Sequence, residues 1–486
     1  MFFKSISLII DDKANDGNFI AAYLNRNFVP NIFYCYDSDK DWSGFDAKIS
    51  GIRTIFQDLS LISSSSPTTT DFDAAAETIE NILDENNGPW LLITWSTWAE
   101  SESETDFPRQ LFEHLQQELP ASLRPFDYIT INKSLFTPGH DHNPVSSPND
   151  SSLAQLHEII EEKISQRHGL KYLIGWEQTV KKAVHSALGE LTNIASGHEQ
   201  SNEVLHKILE NIAASATGKS SCTAALNAGT SETLSDIIKD KIENQIPNNI
   251  NDFERVMQSA SDNRDLDMTG LSSWKESINR AIHFDMSEKV KQYHKPGNIY
   301  NINERVINSG IKFFPDNIQD VNALSKFKRK NFFCFLDNER SVRREVSERS
   351  DLICLDITPP CDHANNKAEW NKYIVGIILK NDDDKFCRLV KSINTDNGLV
   401  RVREDDGIRL INDSLILLPR YAHDDGSGYA YRVVLNAKLT FSIPVCSCDE
   451  ALGELQLMRA RENILSDIRS WFIRQATRPG IVELRG

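Results

Sequence analysis

The chain has 486 residues, 40% hydrophobic and 25% charged, with a formal net charge of −17; this is the make-up of a soluble globular protein with core volume for about two to four domains. The acidic balance opposes broad attraction to nucleic acid or to anionic membrane, both of the same sign, and no apolar stretch approaches the roughly 20 residues that span a bilayer. Met1-Phe2-Phe3-Lys4-Ser5 leads straight into the first apolar run without a signal peptide, so a cytoplasmic location is expected, with the eight irregularly spaced cysteines kept as thiols.

The first apolar run, Ser7-Leu8-Ile9-Ile10, ends on the acidic pair Asp11-Asp12, and a second, Ile55-Phe56-Gln57, ends on Asp58. A third, Trp90 to Thr94, runs into Trp95-Ser96-Thr97, and a fourth, Tyr128 to Ile131, runs into Asn132-Lys133. Continuous apolar runs of this kind read as buried strands of a parallel sheet, and the C-terminal ends of such strands converge on the crevice where open α/β sheets bind ligands. A doubly wound parallel sheet is therefore expected over residues 1–142. Three carboxylates gathered there suit a hard oxygen-seeking cation, and Asp11, Asp12 and Asp58 are the expected Mg²⁺ ligands. Any one of these residues alone occurs constantly in ordinary α/β proteins; five in order, each just past an apolar run, carry the reading.

This set resembles the receiver domains of two-component response regulators, whose signature is an acidic pair, a phospho-accepting Asp, a Ser or Thr, and a Lys. The resemblance puts those roles on Asp11 and Asp12, Asp58, Ser96 and Lys133. It implies that Asp58 takes a phosphoryl group from a partner histidine kinase with Mg²⁺ present, that Lys133 pairs with the phosphoryl charge, and that the Ser96 hydroxyl bonds one of its oxygens. Ser96 is preferred to Thr94 because small Thr97 follows it. The sequence departs from the family in a polar tract after Asp58 (Ser63 to Thr70), an extension at Ser101-Glu102-Ser103-Glu104, Thr130 where an aromatic switch residue is common, and Ser134 in place of proline. Trp98 is a candidate shield for an acyl phosphate, with packing in its loop as the plain alternative.

Asn143 to Asp150 reads as a linker, and a helical region is expected over 150–300. Ser151 or Ser152 caps a helix with apolar residues at Leu153, Leu156, Ile159, Ile160 and Ile164. Further helices are expected at Tyr172–Ile194, Asn202–Ala214, Ser231–Glu243 and Asp252–Gln258, with Trp176 and Trp274 in their core. Ala216-Thr217-Gly218-Lys219-Ser220 looks like the tail of a phosphate loop, but Ala213 stands where the earlier glycine belongs and a helix precedes it. His185 sits in a stretch similar to a histidine phosphotransfer helix; an exposed surface histidine is the plainer reading.

Residues 301–486 change to short β-type runs at 353–357, 373–379, 387–393, 398–402, 414–418, 431–435 and 439–443, which predict a mainly antiparallel, barrel-like sheet. A helix over Glu450–Ala476 closes the region before Arg478-Pro479-Gly480. The basic run Lys326 to Lys330 with Arg340, Arg343 and Arg344 reads as a solvated face rather than a binding patch. Cys361, His363, Cys446 and Cys448 form a zinc set only on paper, since no spacing fixes their proximity. The polar segment Leu355 to Lys367 is either a ligand or partner loop or a proline-stiffened turn.

The expected protein is a response regulator that accepts phosphate and is not otherwise an enzyme. Its layout also resembles receiver proteins of defensive two-component systems called Detocs, in which one receiver partner triggers an effector and another acts as a phosphate sink. With no effector enzyme recognisable, the resemblance implies the sink role in antiviral defence, with the kinase and an effector or second receiver protein as partners. The main alternative is a receiver-controlled binding module whose β region recognises a protein or nucleic acid, and a further one is a degenerate receiver that serves only as a docking scaffold.

Overall fold

In the computed structural model, the N-terminal apolar runs become β1 (Ile6–Asp11), β2 (Asn31–Cys35), β3 (Ile52–Gln57), β4 (Leu91–Ser96) and β5 (Asp127–Asn132), all parallel, in the order β2-β1-β3-β4-β5. The structure describes residues 5–39, 48–63, 66–99, 106–137, 147–165, 167–217, 223–245, 274–287, 295–308, 318, 320–333, 340–359, 369–381, 409–412, 414–422 and 430–476. Every residue of β3 and β4 is buried, because helices cover both faces of the sheet.

Side chains alternate between the two faces along each strand. Ile9, Phe56, Ile93 and Ile131 pack on one face against α1 (Ala14–Arg26) and α4 (Asp150–Ser165). Leu8, Ile10, Ile55 and Leu92 pack on the other against α2 (Thr69–Ile82) and α3 (Phe107–Glu118). The spacing that predicts α4 also sets its inward face: Leu153, Leu156, Ile160 and Ile164 are buried in the sheet's own core. Thus the first helix past the linker completes the α/β layer. Tyr23 Oη meets His157 Nδ1 at 3.2 Å, and Arg167 Nε donates to Asp127 Oδ2 at 2.5 Å.

The chain divides into two compact units, one built on Met1–Thr192 and the other mainly on Asp265–Gly486, with the intervening helices shared between them. In the first unit α5 (His168–Ser196) sends Leu170 and Ile174 into the sheet core. Glu177 on α5 takes a fork from Arg53, at the start of β3, with Nε–Oε2 2.6 Å and Nη2–Oε1 3.0 Å. Trp176, expected in a helical core, is instead 51% exposed, because the inward stripe of α5 runs through Leu170 and Ile174. Two further helices follow, α6 (Ser201–Thr217) and α7 (Thr223–Gln245); the helix expected at Asp252–Gln258 and the side chain of Trp274 lie outside the described residues.

The second unit is a nine-stranded antiparallel sheet. After α8 (Trp274–His283) come β6 (Phe284–Asp285), β7 (Asn298–Asn301), α9 (Asn303–Asn308), α10 (Val321–Phe332), α11 (Arg340–Arg349), β8 (Asp351–Asp356) and β9 (Trp370–Asn381). The remainder is β10 (Arg409–Asn412), β11 (Leu415–Leu417), β12 (Tyr421–Ala422), β13 (Ala430–Pro444), α12 (Cys448–Leu452), β14 (Gln456–Ala460) and α13 (Glu462–Ala476). The order is β10-β11-β13-β9-β8-β7-β14-β6, with β12 also on β13. The runs expected at 431–435 and 439–443 are one strand, β13, bent by a register shift between Asn436 and Thr440. At Gly376 on β9 an added Cβ would lie 2.6 Å from both the Val434 carbonyl and the Leu435 side chain, so only glycine permits this strand approach. The strands expected at 387–393 and 398–402 lie outside the described residues.

The expected helix Glu450–Ala476 is corrected to a helix, a strand and a helix. Gln456, Met458 and Ala460 are buried at alternate positions, the first two in register with β7 and Ala460 with β6, so strand periodicity overrides a helical reading of this stretch. The terminal helix α13 buries Ile464, Leu465, Ile468 and Trp471 in the core of one sheet face. Among the described residues no helix is long and apolar enough to cross a membrane.

Candidate functional site

Parallel strands that start at one edge end at the other, which is how β1, β3 and β5 deliver Asp11, Asp58 and Lys133 to a common place. The backbone fixes each one locally. Asp58 N–H donates to the Ile10 carbonyl at 3.0 Å, extending the β1–β3 ladder one residue past the strand. Lys13 N–H donates to Asp11 Oδ1 at 2.9 Å, and the Gln57 side-chain amide donates to the Asp58 carbonyl at 2.8 Å.

Lys133 Nζ lies at the centre of the acids, 2.6 Å from Asp11 Oδ2, 2.8 Å from Asp58 Oδ2 and 3.1 Å from Asp16 Oδ2. It also stands 5.9 Å from the centroid of the Trp95 ring, within cation–π range. Asp11, Asp12 and Asp58 each offer one carboxylate oxygen to a group of three within 4.8 Å of one another. Asp12 differs from its neighbours in being half-buried, and its Oδ1 is buried with no hydrogen-bond partner.

Three carboxylates thus contact one ammonium, and a fourth, Asp12, lies beside Asp11 and Asp58. Burial pushes the Asp11 carboxyl well above its ordinary value despite the pull of Lys133. Burial and then the charge of Asp58 raise Asp12. Burial alone would lower the Lys133 ammonium, but Asp58, Asp11 and Asp16 outweigh it and hold Lys133 above its usual range. The lysine is therefore a fixed positive charge. The acids retain a surplus of negative charge that a hard divalent cation would offset.

Ser96 closes β4 opposite Asn132, the residue before Lys133, so it stands at the same strand edge. Its hydroxyl accepts from the Trp98 N–H at 3.4 Å. Trp98 is half-buried and meets Phe107 edge-on at 6.0 Å, which is the packing role weighed against shielding.

Two residues that order the site escape a search for strand-terminal acids. Asp16 is in the first turn of α1, and the signal lies in periodicity: with Phe19, Ile20, Tyr23 and Leu24 it falls on the buried stripe of the helix, where a lone carboxylate requires a partner. Asp71, in the first turn of α2, organises the loop that follows Asp58. It accepts from the backbone N–H groups of Ile62, Ser63 and Thr68 at 2.8 to 2.9 Å and from the hydroxyls of Ser63 and Thr68. Burial would raise its carboxyl, yet the hydrogen bonds from Ser63, Ile62 and Thr68 bring it down to about 2. The motif Thr68-x-x-Asp71 is a short-armed capping box legible in the sequence.

The remaining sequence candidates separate. His185 is exposed on α5, and Thr217 ends α6, with Gly218 to Ser220 outside the described residues. Cys446 is exposed, while the buried Cys448 Sγ accepts from Asn371 Nδ2 at 3.4 Å; Cys361 and His363 lie outside the described residues. The basic run is not uniformly solvated: Lys328 is buried and donates to the Ser350 carbonyl, with burial lowering its ammonium.

A five-stranded parallel sheet in the order 2-1-3-4-5, with an aspartate cluster at its C-terminal edge, is compatible with the flavodoxin-like fold of receiver domains. No family model, curated protein or solved structure matches the chain.

Proposed function

We propose that the N-terminal unit is a receiver that accepts a phosphoryl group on Asp58 from the phosphohistidine of a partner kinase. The observation that carries this reading is the contact of Lys133 Nζ with both Asp11 and Asp58 across three strand ends, beside an acid trio with the spacing of one bound cation. Other ion pairs among the described residues, such as Arg109–Glu113, match one base to one acid. This one gathers an excess of acids at the ligand-binding edge of the sheet, a costly arrangement for stability alone.

In the transfer, an oxygen of the Asp58 carboxylate bonds to phosphorus as the phosphorus–nitrogen bond of phosphohistidine breaks, and the imidazole nitrogen keeps the electron pair. Lys133, fixed as a cation, pairs with the new phosphoryl charge and loses little in reorganisation, since it already stands 2.8 Å from Asp58. The Ser96 hydroxyl, at the adjoining strand end, is the neutral donor to a phosphoryl oxygen. Asp11, Asp12 and Asp58 fit Mg²⁺ by their hard oxygen donors and by the unpartnered Asp12 Oδ1. When bound there, the ion supplies charge neutralisation for the transferring phosphoryl oxygens.

Incubation with phosphoramidate and Mg²⁺ tests the chemistry. The reading expects a label on the wild-type chain that hydroxylamine removes, as it does from an acyl phosphate, and no label on Asp58→Asn. A hydroxylamine-resistant label, or equal labelling of both chains, would contradict it.

A further inference from the structure

Lys133 has three carboxylate partners, but only Asp11 and Asp58 belong to the trio with cation spacing. Asp16 stands outside that trio, 3.1 Å from Nζ, its side chain 4% exposed. A negative charge in the first turn of a helix is favoured by the helix dipole, yet an exposed acid serves that purpose. Burial of Asp16 on the apolar stripe of α1 is explained by the ammonium it faces rather than by the helix.

The oxygens that Lys133 occupies on Asp11 and Asp58 belong to the carboxylates a divalent cation needs. Ammonium and cation therefore compete unless the ammonium has a further carboxylate to hold it. We propose that Asp16 is a positioning residue that keeps the Lys133 ammonium in the crevice while Asp11 and Asp58 are given over to a divalent cation. This inference rests on the reading that Asp11, Asp12 and Asp58 bind such a cation. With Asp16 neutral, Lys133 concentrates on Asp11 and Asp58 and opposes cation binding. With Lys133 also removed there is nothing for Asp16 to hold, so its loss becomes silent.

Calorimetric titration of Mg²⁺ into the full chain tests this as a double-mutant cycle of wild type, Asp16→Asn, Lys133→Met and the double variant, each checked for folding by circular dichroism. The expected result is Mg²⁺ binding weakened about tenfold by Asp16→Asn in the Lys133 background and within about twofold in the Lys133→Met background. Lys133→Gln and Asp16→Ser replace any variant that does not fold. Equal weakening in both backgrounds would make Asp16 a bare charge and overturn the inference while leaving the cation reading intact. No weakening in either would also overturn it. Failure of the wild type to bind Mg²⁺ would overturn the cation reading itself, and the inference with it.

Discussion

Asp71 shows how much one carboxylate determines near the site. Five donors converge on it, so replacing it with Asn leaves several of them poorly matched, and α2 loses its cap; Asp71→Asn is expected to cost about 1 to 2 kcal/mol at neutral pH. Its folded-state value of about 2 lies below the ordinary carboxylate value. The stability it contributes is present above about pH 4 and is lost as pH falls toward about 2. Thermal melts of wild type and variant should therefore converge as pH drops through that window; curves that stay apart would show that Asp71 acts by shape alone. Burial moves Asp11 and Asp12 in the opposite direction, upward. Mg²⁺ binding to the folded state alone should raise the melting temperature, and Asp12→Asn should reduce the increment. The residues at strand ends were legible in the sequence because an apolar run closing on a charge has one natural reading in a parallel sheet. Asp16 and Asp71 were less so, since their roles depend on which face of a helix is buried.

At the scale of elements, helical spacing in α4 predicts its apolar face but not what that face covers. Leu156 is fully buried in the core shared with β1, β3, β4 and β5. Leu156→Ala is expected to cost about 2 to 5 kcal/mol, read from chemical denaturation of the first unit. A fragment ending at residue 142 should melt well below one ending at 196, because the shorter piece exposes the apolar floor beneath α4 and lacks the Arg53–Glu177 fork. Equal melting of the two would remove α4 from the sheet's core. In the second unit, strand type was readable from β-branched runs such as Tyr373 to Leu379, which falls within β9. Strand continuity is less legible than strand type. A bend in β13 looks like a turn between two strands, and β14 looks like part of a helix because its five residues are flanked by helix formers.

For the whole molecule, the chain divides into two units built on different kinds of sheet. The first gathers acids about a fixed lysine at the end of a parallel sheet, while the second is an antiparallel sheet with buried polar side chains such as Asn298, Gln456 and Asn371 and no cation-spaced acid group among its described residues. The chemistry assigned to the chain therefore stands on Asp58. Intact mass after incubation with acetyl phosphate and Mg²⁺, for the wild-type chain and Asp58→Ala, measures it most directly. Gain of one phosphoryl group by the wild type and none by the variant is expected. A gain by both chains, or by neither even with a cognate kinase as donor, would contradict it.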